Sequence, residues 1–122
     1  MEFIEKKSIY LQIADYFCEN ILLKNWKVNE KIPSVREISI LMEVNPNTVM
    51  RSFTELQELG IIYNKRGIGY FVAEDGFEKA LNYKKQEFIC KDIPVIFRSM
   101  KMLNISCNDM EKLYQETSIK IN

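Results

Sequence analysis

Histidine does not occur anywhere in the 122-residue chain. That removes the commonest general base and the commonest metal ligand. A glycine-rich phosphate loop and a nucleophile elbow are missing as well, so neither an enzyme nor a cofactor or metal site is expected. Cysteine is scarce: Cys18, Cys90 and Cys107 are odd in number and form no C-x-x-C. They read as reduced thiols of a cytoplasmic protein, not as a disulfide frame. No apolar run is long enough to span a membrane. The start, M-E-F-I-E-K-K, is charged and has no apolar signal-peptide core. An excess of one charge is absent too, with 17 Lys/Arg against 17 Asp/Glu. Residues 1–75 carry nine against eleven and residues 76–122 eight against six, so no segment is strongly basic.

What is present begins with a hydrophobic fraction of 47%, enough for a real core. The length suits one compact domain plus a short appendage. The most explicit stretch is V-N-P-N-T-V-M-R-S-F-T-E-L-Q-E-L-G, Val44 to Gly60. Asn45 suits an N-cap, Pro46 the first helical position and Gly60 a left-handed stop. Val49, Phe53 and Leu56 recur at i, i+4 and i+7, with Leu59 at the margin, which predicts an amphipathic helix. The opposite face carries Asn47, Arg51, Thr54 and Glu58. At about 100° per residue, Arg51 points almost directly away from the buried stripe. Amides, hydroxyls and a guanidinium placed in this way can hydrogen-bond base edges and phosphates in a major groove. On an isolated helix the same residues are an ordinary solvated face, so the neighbours decide.

Before this stretch, Tyr10, Ile13, Ala14, Phe17 and Ile21 predict a first helix over Ser8–Lys24, with Ser8 as N-cap and Asn25 as left-handed stop. Trp26 is expected to anchor the following loop on the core. The segment I-P-S-V-R-E-I-S-I-L-M, Ile32 to Met42, holds a capping box in Ser34 and Glu37 and predicts Val35, Ile38 and Leu41 facing inward. Arg36 falls in the first turn, where the helix dipole disfavours a cation. A DNA phosphate and a neighbouring carboxylate are both partners that would explain it. Glu43 and Val44 then turn the chain, so two short helices form a helix-turn-helix. After Gly60, Ile61–Lys65 and Tyr70–Ala73 read as strands around the turn Arg66–Gly69. A hairpin in this place is a wing. Lys65 and Arg66 at its tip can reach phosphates or the minor groove. With no net positive charge, DNA contact must rest on Arg36, Arg51, Lys65 and Arg66 by local placement.

The motif series I-Y-L-Q-I-A, I-P-S-V-R-E, V-N-P-N-T-V, E-L-G-I-I and R-G-I-G-Y-F-V resembles the GntR family of bacterial transcription regulators. It is most similar to the YtrA-type branch, which carries a short helical C-terminal segment. The likeness covers about residues 8–73. It implies a dimeric winged helix-turn-helix that binds a double-stranded DNA operator, usually as a repressor. By position it also implies that Ser34 and Arg36 touch the DNA backbone. Asn45, Asn47, Thr48 and Arg51 would enter the major groove, and Arg66 with Gly67 would make the wing contact. Three positions depart from the family pattern. Glu43 replaces a turn glycine, at a cost of about 1 kcal/mol if left-handed; Met50 stands where a polar residue or arginine is usual; Ile68 replaces a wing lysine.

Beyond the wing, Phe77, Ala80, Leu81, Lys84 and Phe88 stripe one helix. Asp92-Ile93-Pro94 is expected to start a second, with Ile93, Phe97, Met100 and Leu103 on one face and Asn104 as its stop. Ser106 caps a third that bears Met110, Leu113 and Tyr114. Short amphipathic helices cannot bury such faces alone. They can fold onto the winged domain or pair with a second copy. A two-fold operator favours the dimer, with Phe97, Met100, Leu103, Met110 and Leu113 at the contact. The methionines Met100, Met102 and Met110 are expected to fill apolar space, not to line a ligand groove. The sequence thus points to a mainly α fold with a small β-hairpin wing: a winged helix-turn-helix over residues 1–75 and a helical dimerisation segment over 76–122. No part of it reads as a sensory domain for an effector. The competing reading is a winged-helix protein-interaction module that binds no DNA.

Overall fold

Ser8 precedes the first helix in an extended conformation, but its side chain makes no cap bond. Helix α1 spans Ile9–Leu22 and buries Ile13, Ala14, Phe17, Cys18 and Ile21, while Tyr10 stays half-buried. The computed structural model describes residues 7–117. The left-handed residue closing α1 is Lys24 (φ 63) and not Asn25. Asn25 N–H instead returns to Asn20 O at 2.9 Å and Lys24 N–H to Ile21 O at 3.0 Å, the paired bonds of a Schellman stop. Trp26 is half-buried and stacks edge-on against Tyr16 and Phe17, which anchors the loop as expected.

Helix α2, Val35–Met42, starts at a complete capping box. Ser34 Oγ accepts from Glu37 N–H, and Glu37 Oε1 accepts from Ser34 N–H, both at 3.1 Å. Ile38 is buried, but Leu41 faces solvent at 66% exposure. The inward position belongs to Met42, which is half-buried. At about 100° per residue Met42 falls within about 20° of Val35, whereas Leu41 has drifted by about 120°. Glu43 ends α2 in the left-handed region (φ 54, ψ 47).

Helix α3, Pro46–Glu58, has Asn45 as N-cap, its Oδ1 accepting from Asn47 N–H at 2.8 Å. Val49, Ser52, Phe53 and Leu56 are buried. Gly60 (φ 74) stops it, with Ile61 N–H on Leu56 O and Gly60 N–H on Gln57 O. Helix α3 packs against α1, α2 and the first strand. Strands β1, Ile62–Lys65, and β2, Gly69–Val72, pair antiparallel with Ile62 opposite Val72 and Lys65 opposite Gly69. Strand β1 starts one residue later than the sequence expectation and ends where expected, while β2 lies one residue nearer the turn. The loop before α2 lines the other edge of β2, where Ile32 N–H donates to Tyr70 O and Lys31 bridges to Phe71. The core is an aromatic chain from Trp26 through Phe17 and Phe53 to Tyr70, with successive centroids at 5.0, 5.0 and 4.6 Å.

Helix α4, Gly76–Glu87, starts so close to the hairpin that a Cβ on Gly76 would lie 2.6 Å from Ile61 O and 2.9 Å from Val72 Cγ1. Ala80, one turn on, is fully buried. The chain forms two compact units, Met1–Asn82 and Tyr83–Asn122, so the division falls inside α4 and beyond the 75/76 boundary expected from sequence.

In the second unit the expected restart at Asp92 does not occur. Phe88–Asp92 is a π-helical turn leading into α5, Ile93–Leu103, and Asp92 keeps helical dihedrals. Ile93 N–H reaches back to Phe88 O, and Pro94, having no N–H, cannot resume the α pattern at the next residue. The helix widens there instead of breaking. Asn104 (φ 57) stops α5 as expected, and Ser106 with Asp109 forms a second capping box for α6, Cys107–Glu116. Of the expected gap-fillers only Met100 is buried; Met102 and Met110 are exposed.

Candidate nucleic-acid interface

Three groups of side chains stand out on the winged unit. The first lies on α3. Asn47, Thr48 and Arg51 line a shallow groove of 350 Å³ together with Ser8, Ile9 and Tyr10 from the start of α1. Asn45 uses its side-chain oxygen as the helix cap, which leaves its amide N–H groups outward. Arg51 is exposed, as its spacing predicts, yet it is not solitary: its guanidinium lies 3.9 Å from the centroid of the Tyr10 ring. Thr54, exposed on the same face, donates its hydroxyl to Met50 O of its own helix at 3.0 Å. Met50 is partly exposed beside these groups.

The second group is the first turn of α2. Ser34 Oγ is engaged as cap acceptor for Glu37 N–H, and its hydroxyl also bears on the Glu37 carboxyl. The Ser34 N–H foremost, and then the Ser34 hydroxyl, hold the Glu37 carboxyl below its usual range. Arg36 is exposed and forms no ion pair among the described residues. The carboxylate partner considered for it from sequence is therefore absent there.

The third group is the wing turn. Ile68 N–H donates to Lys65 O at 2.9 Å, and Gly67 (φ 80) supplies the positive φ that the tight turn needs. A Cβ on Gly67 would meet nothing within 4 Å, so the turn's outer side is open. Arg66 and Ile68 are exposed. The Lys65 ammonium lies 4.8 Å from the Phe71 centroid, which directs it along the hairpin.

One cation was not singled out from sequence. Lys31 pairs with Phe71, its Cε lies 2.9 Å from where a Gly69 Cβ would sit, and its charge helps lower the Glu37 carboxyl. It therefore lies between Gly69 at the foot of the wing turn and Glu37 in the first turn of α2. Its position one residue before I-P-S carried no periodic signal. Only the approach of the loop to β2 reveals it. The expected dimer residues lie elsewhere, in the second unit. Phe97, Leu103, Met110 and Leu113 are exposed there, while Met100 is buried.

Comparison with known proteins agrees with this architecture. The family model for bacterial regulatory proteins, gntR family, matches residues 9–72. The HTH-type transcriptional regulator YhcF of Bacillus subtilis (strain 168) is 35% identical over 109 residues, 89% of this chain and 88% of its own. The HTH-type transcriptional repressor YtrA of the same organism is 32% identical over 111 residues, 88% of this chain and 79% of its own. A GntR-family regulator from Bacteroides thetaiotaomicron superposes with TM-score 0.74 at 44% identity, covering 89% of this chain and 95% of that one. One from Listeria monocytogenes gives 0.77 at 30%, covering 95% and 100%. A helix-turn-helix with its wing, matched in sequence and in fold to transcription regulators, makes this chain a DNA-binding regulator that belongs to the gntR family of bacterial regulatory proteins.

Proposed function

We propose that the chain is a dimeric repressor of a two-fold symmetric operator. Helix α3 enters the major groove with Asn45, Asn47, Thr48 and Arg51. Ser34, Arg36 and Lys65 take phosphates, and Arg66 with Gly67 makes the wing contact. The observation that carries the base-reading assignment is the shared groove of Asn47, Thr48 and Arg51, with the Arg51 guanidinium set over the Tyr10 ring. The dimer is supported by unit two: α6 buries no residue yet carries Met110, Leu113 and Tyr114, and α5 exposes Phe97 and Leu103. Two copies covering these faces hold two recognition helices about 34 Å apart on successive turns of the duplex. The repressor assignment is supported by the likeness to the repressor YtrA.

The test uses the full chain and the duplex it enriches from a random pool. Arg51→Ala should weaken that duplex by about 1–3 kcal/mol and relax its sequence preference. Phe97→Glu with Leu113→Glu should give a folded monomer in sedimentation that loses most affinity for the symmetric site, because the second half-site no longer binds intramolecularly. Unchanged affinity in the Arg51 variant removes Arg51 from the site. A double variant that still sediments as a dimer removes α5 and α6 from the interface. Duplex affinity indifferent to salt would favour the protein-interaction reading instead.

A further inference from the structure

We propose that Tyr10 is the positioning residue for Arg51: its ring holds the guanidinium ready for the operator before DNA arrives. This deepens the reading of α3 as the base-reading helix and rests on it. Tyr10 sits in the first turn of α1 and Arg51 near the middle of α3, and the ring centroid lies 3.9 Å from the guanidinium carbon. A guanidinium on an aromatic face uses its π surface only. Its five N–H donors lie in the plane and remain available for bidentate contact with guanine or phosphate. The same two residues line the groove that holds Asn47 and Thr48, so the stack places Arg51 among the other polar groups of the helix.

The backbone beneath the ring is fixed to α3 as well. Ser52, fully buried and next to Arg51, donates its hydroxyl to Tyr10 O at 2.6 Å. The platform and the arginine it carries are therefore referenced to each other through neighbouring residues of one helix. An arginine left loose in solvent must be ordered when it binds, at a cost equal to roughly two- to tenfold in affinity. Tyr10 removes that cost in advance.

The experiment measures affinity of the full chain for its selected duplex and for a scrambled duplex of equal length. Tyr10→Leu should lose roughly two- to tenfold on the selected duplex and nothing on the scrambled one. Tyr10→Phe should match the unmodified protein. Pentafluorophenylalanine at position 10 keeps the ring's shape but inverts its quadrupole, and should behave as leucine does. In an Arg51→Ala background Tyr10→Leu should have no further effect. Should Tyr10→Leu fail to fold, seen as loss of scrambled-duplex binding, the fluorinated ring carries the test. The proposal is overturned if the fluorinated variant binds as the unmodified protein does, or if the loss persists in full without Arg51. Arg51→Ala binding with unchanged affinity is a different failure, since it overturns the underlying role of Arg51.

Discussion

Glu43 offers a direct measure of what the tight turn of the helix-turn-helix costs. Its backbone is left-handed, φ 54 and ψ 47, and its N–H donates to Ser39 O. For a residue with a Cβ this region costs about 1–2 kcal/mol. Glycine removes that penalty but gains freedom in the unfolded chain, which returns about 0.4–1 kcal/mol. Glu43→Gly should therefore stabilise the protein by about 0.5–1 kcal/mol net. For a cooperative unit of this size that raises the thermal midpoint by roughly 2–8 °C. Thermal unfolding followed by circular dichroism reads the shift. Glu43→Gln is the control, because it removes the charge and keeps the strained backbone, and it should not share the gain. An equal rise in both variants, or no rise with glycine, would refute the strain argument and leave charge or nothing as the cause.

Arg36→Ala, Lys65→Ala and Lys31→Ala should each weaken selected and scrambled duplexes alike and flatten the log-affinity against log-salt slope by about one unit, read by titration at several salt concentrations. A changed preference at constant slope would reassign the residue to a base. Gly76→Ala should destabilise by about 1–3 kcal/mol in denaturant unfolding, because its Cβ meets the Ile61 carbonyl and Val72; in an open helix position the same change stabilises. Glu37 has its carboxyl lowered by the backbone and hydroxyl bonds from Ser34, so its contribution is whole above the ordinary glutamate range and is lost as pH falls through the lower folded value. Glu37→Gln keeps an acceptor without the titration, and its thermal midpoint should fall less steeply with acid than that of the unmodified protein; parallel curves would refute the assignment.

Much of this was legible because it was local. The Ser34–Glu37 box, the Asn45–Pro46 start and the Gly60 stop each depend on groups within a few residues, and the Val49, Phe53, Leu56 stripe depends only on helical pitch. Leu41 was misplaced because a helix as short as α2 offers a single pair of turns, and a step of three residues drifts off the face. The expectation of Asn25 as the stop rests on its intrinsic tolerance of the left-handed region, whereas the bonds returning to Asn20 and Ile21 fix Lys24 as the residue that turns. The π turn arises from Pro94 acting on a helix already under way, which a proline-as-start rule reads as a break. Among the site residues, Arg51 was correctly placed outward, but its contact with Tyr10 joins distant parts of the chain. Lys31 was invisible for the same reason.

The cap at Ser34 also bears on how binding and folding can be separated. Its oxygen accepts from Glu37 N–H while its hydroxyl helps hold the Glu37 carboxyl low, so one hydroxyl serves two groups of opposite polarity on a single residue. A threonine keeps both capacities. An aspartate keeps the acceptor, and with it the helix start, but presents a negative charge where the serine presents a donor. Position 34 is thus a point at which one substitution keeps the helix start and changes the charge of the surface proposed to meet the DNA backbone: Ser34→Asp should fold as the unmodified protein does yet bind duplex more weakly, read by thermal unfolding and titration side by side.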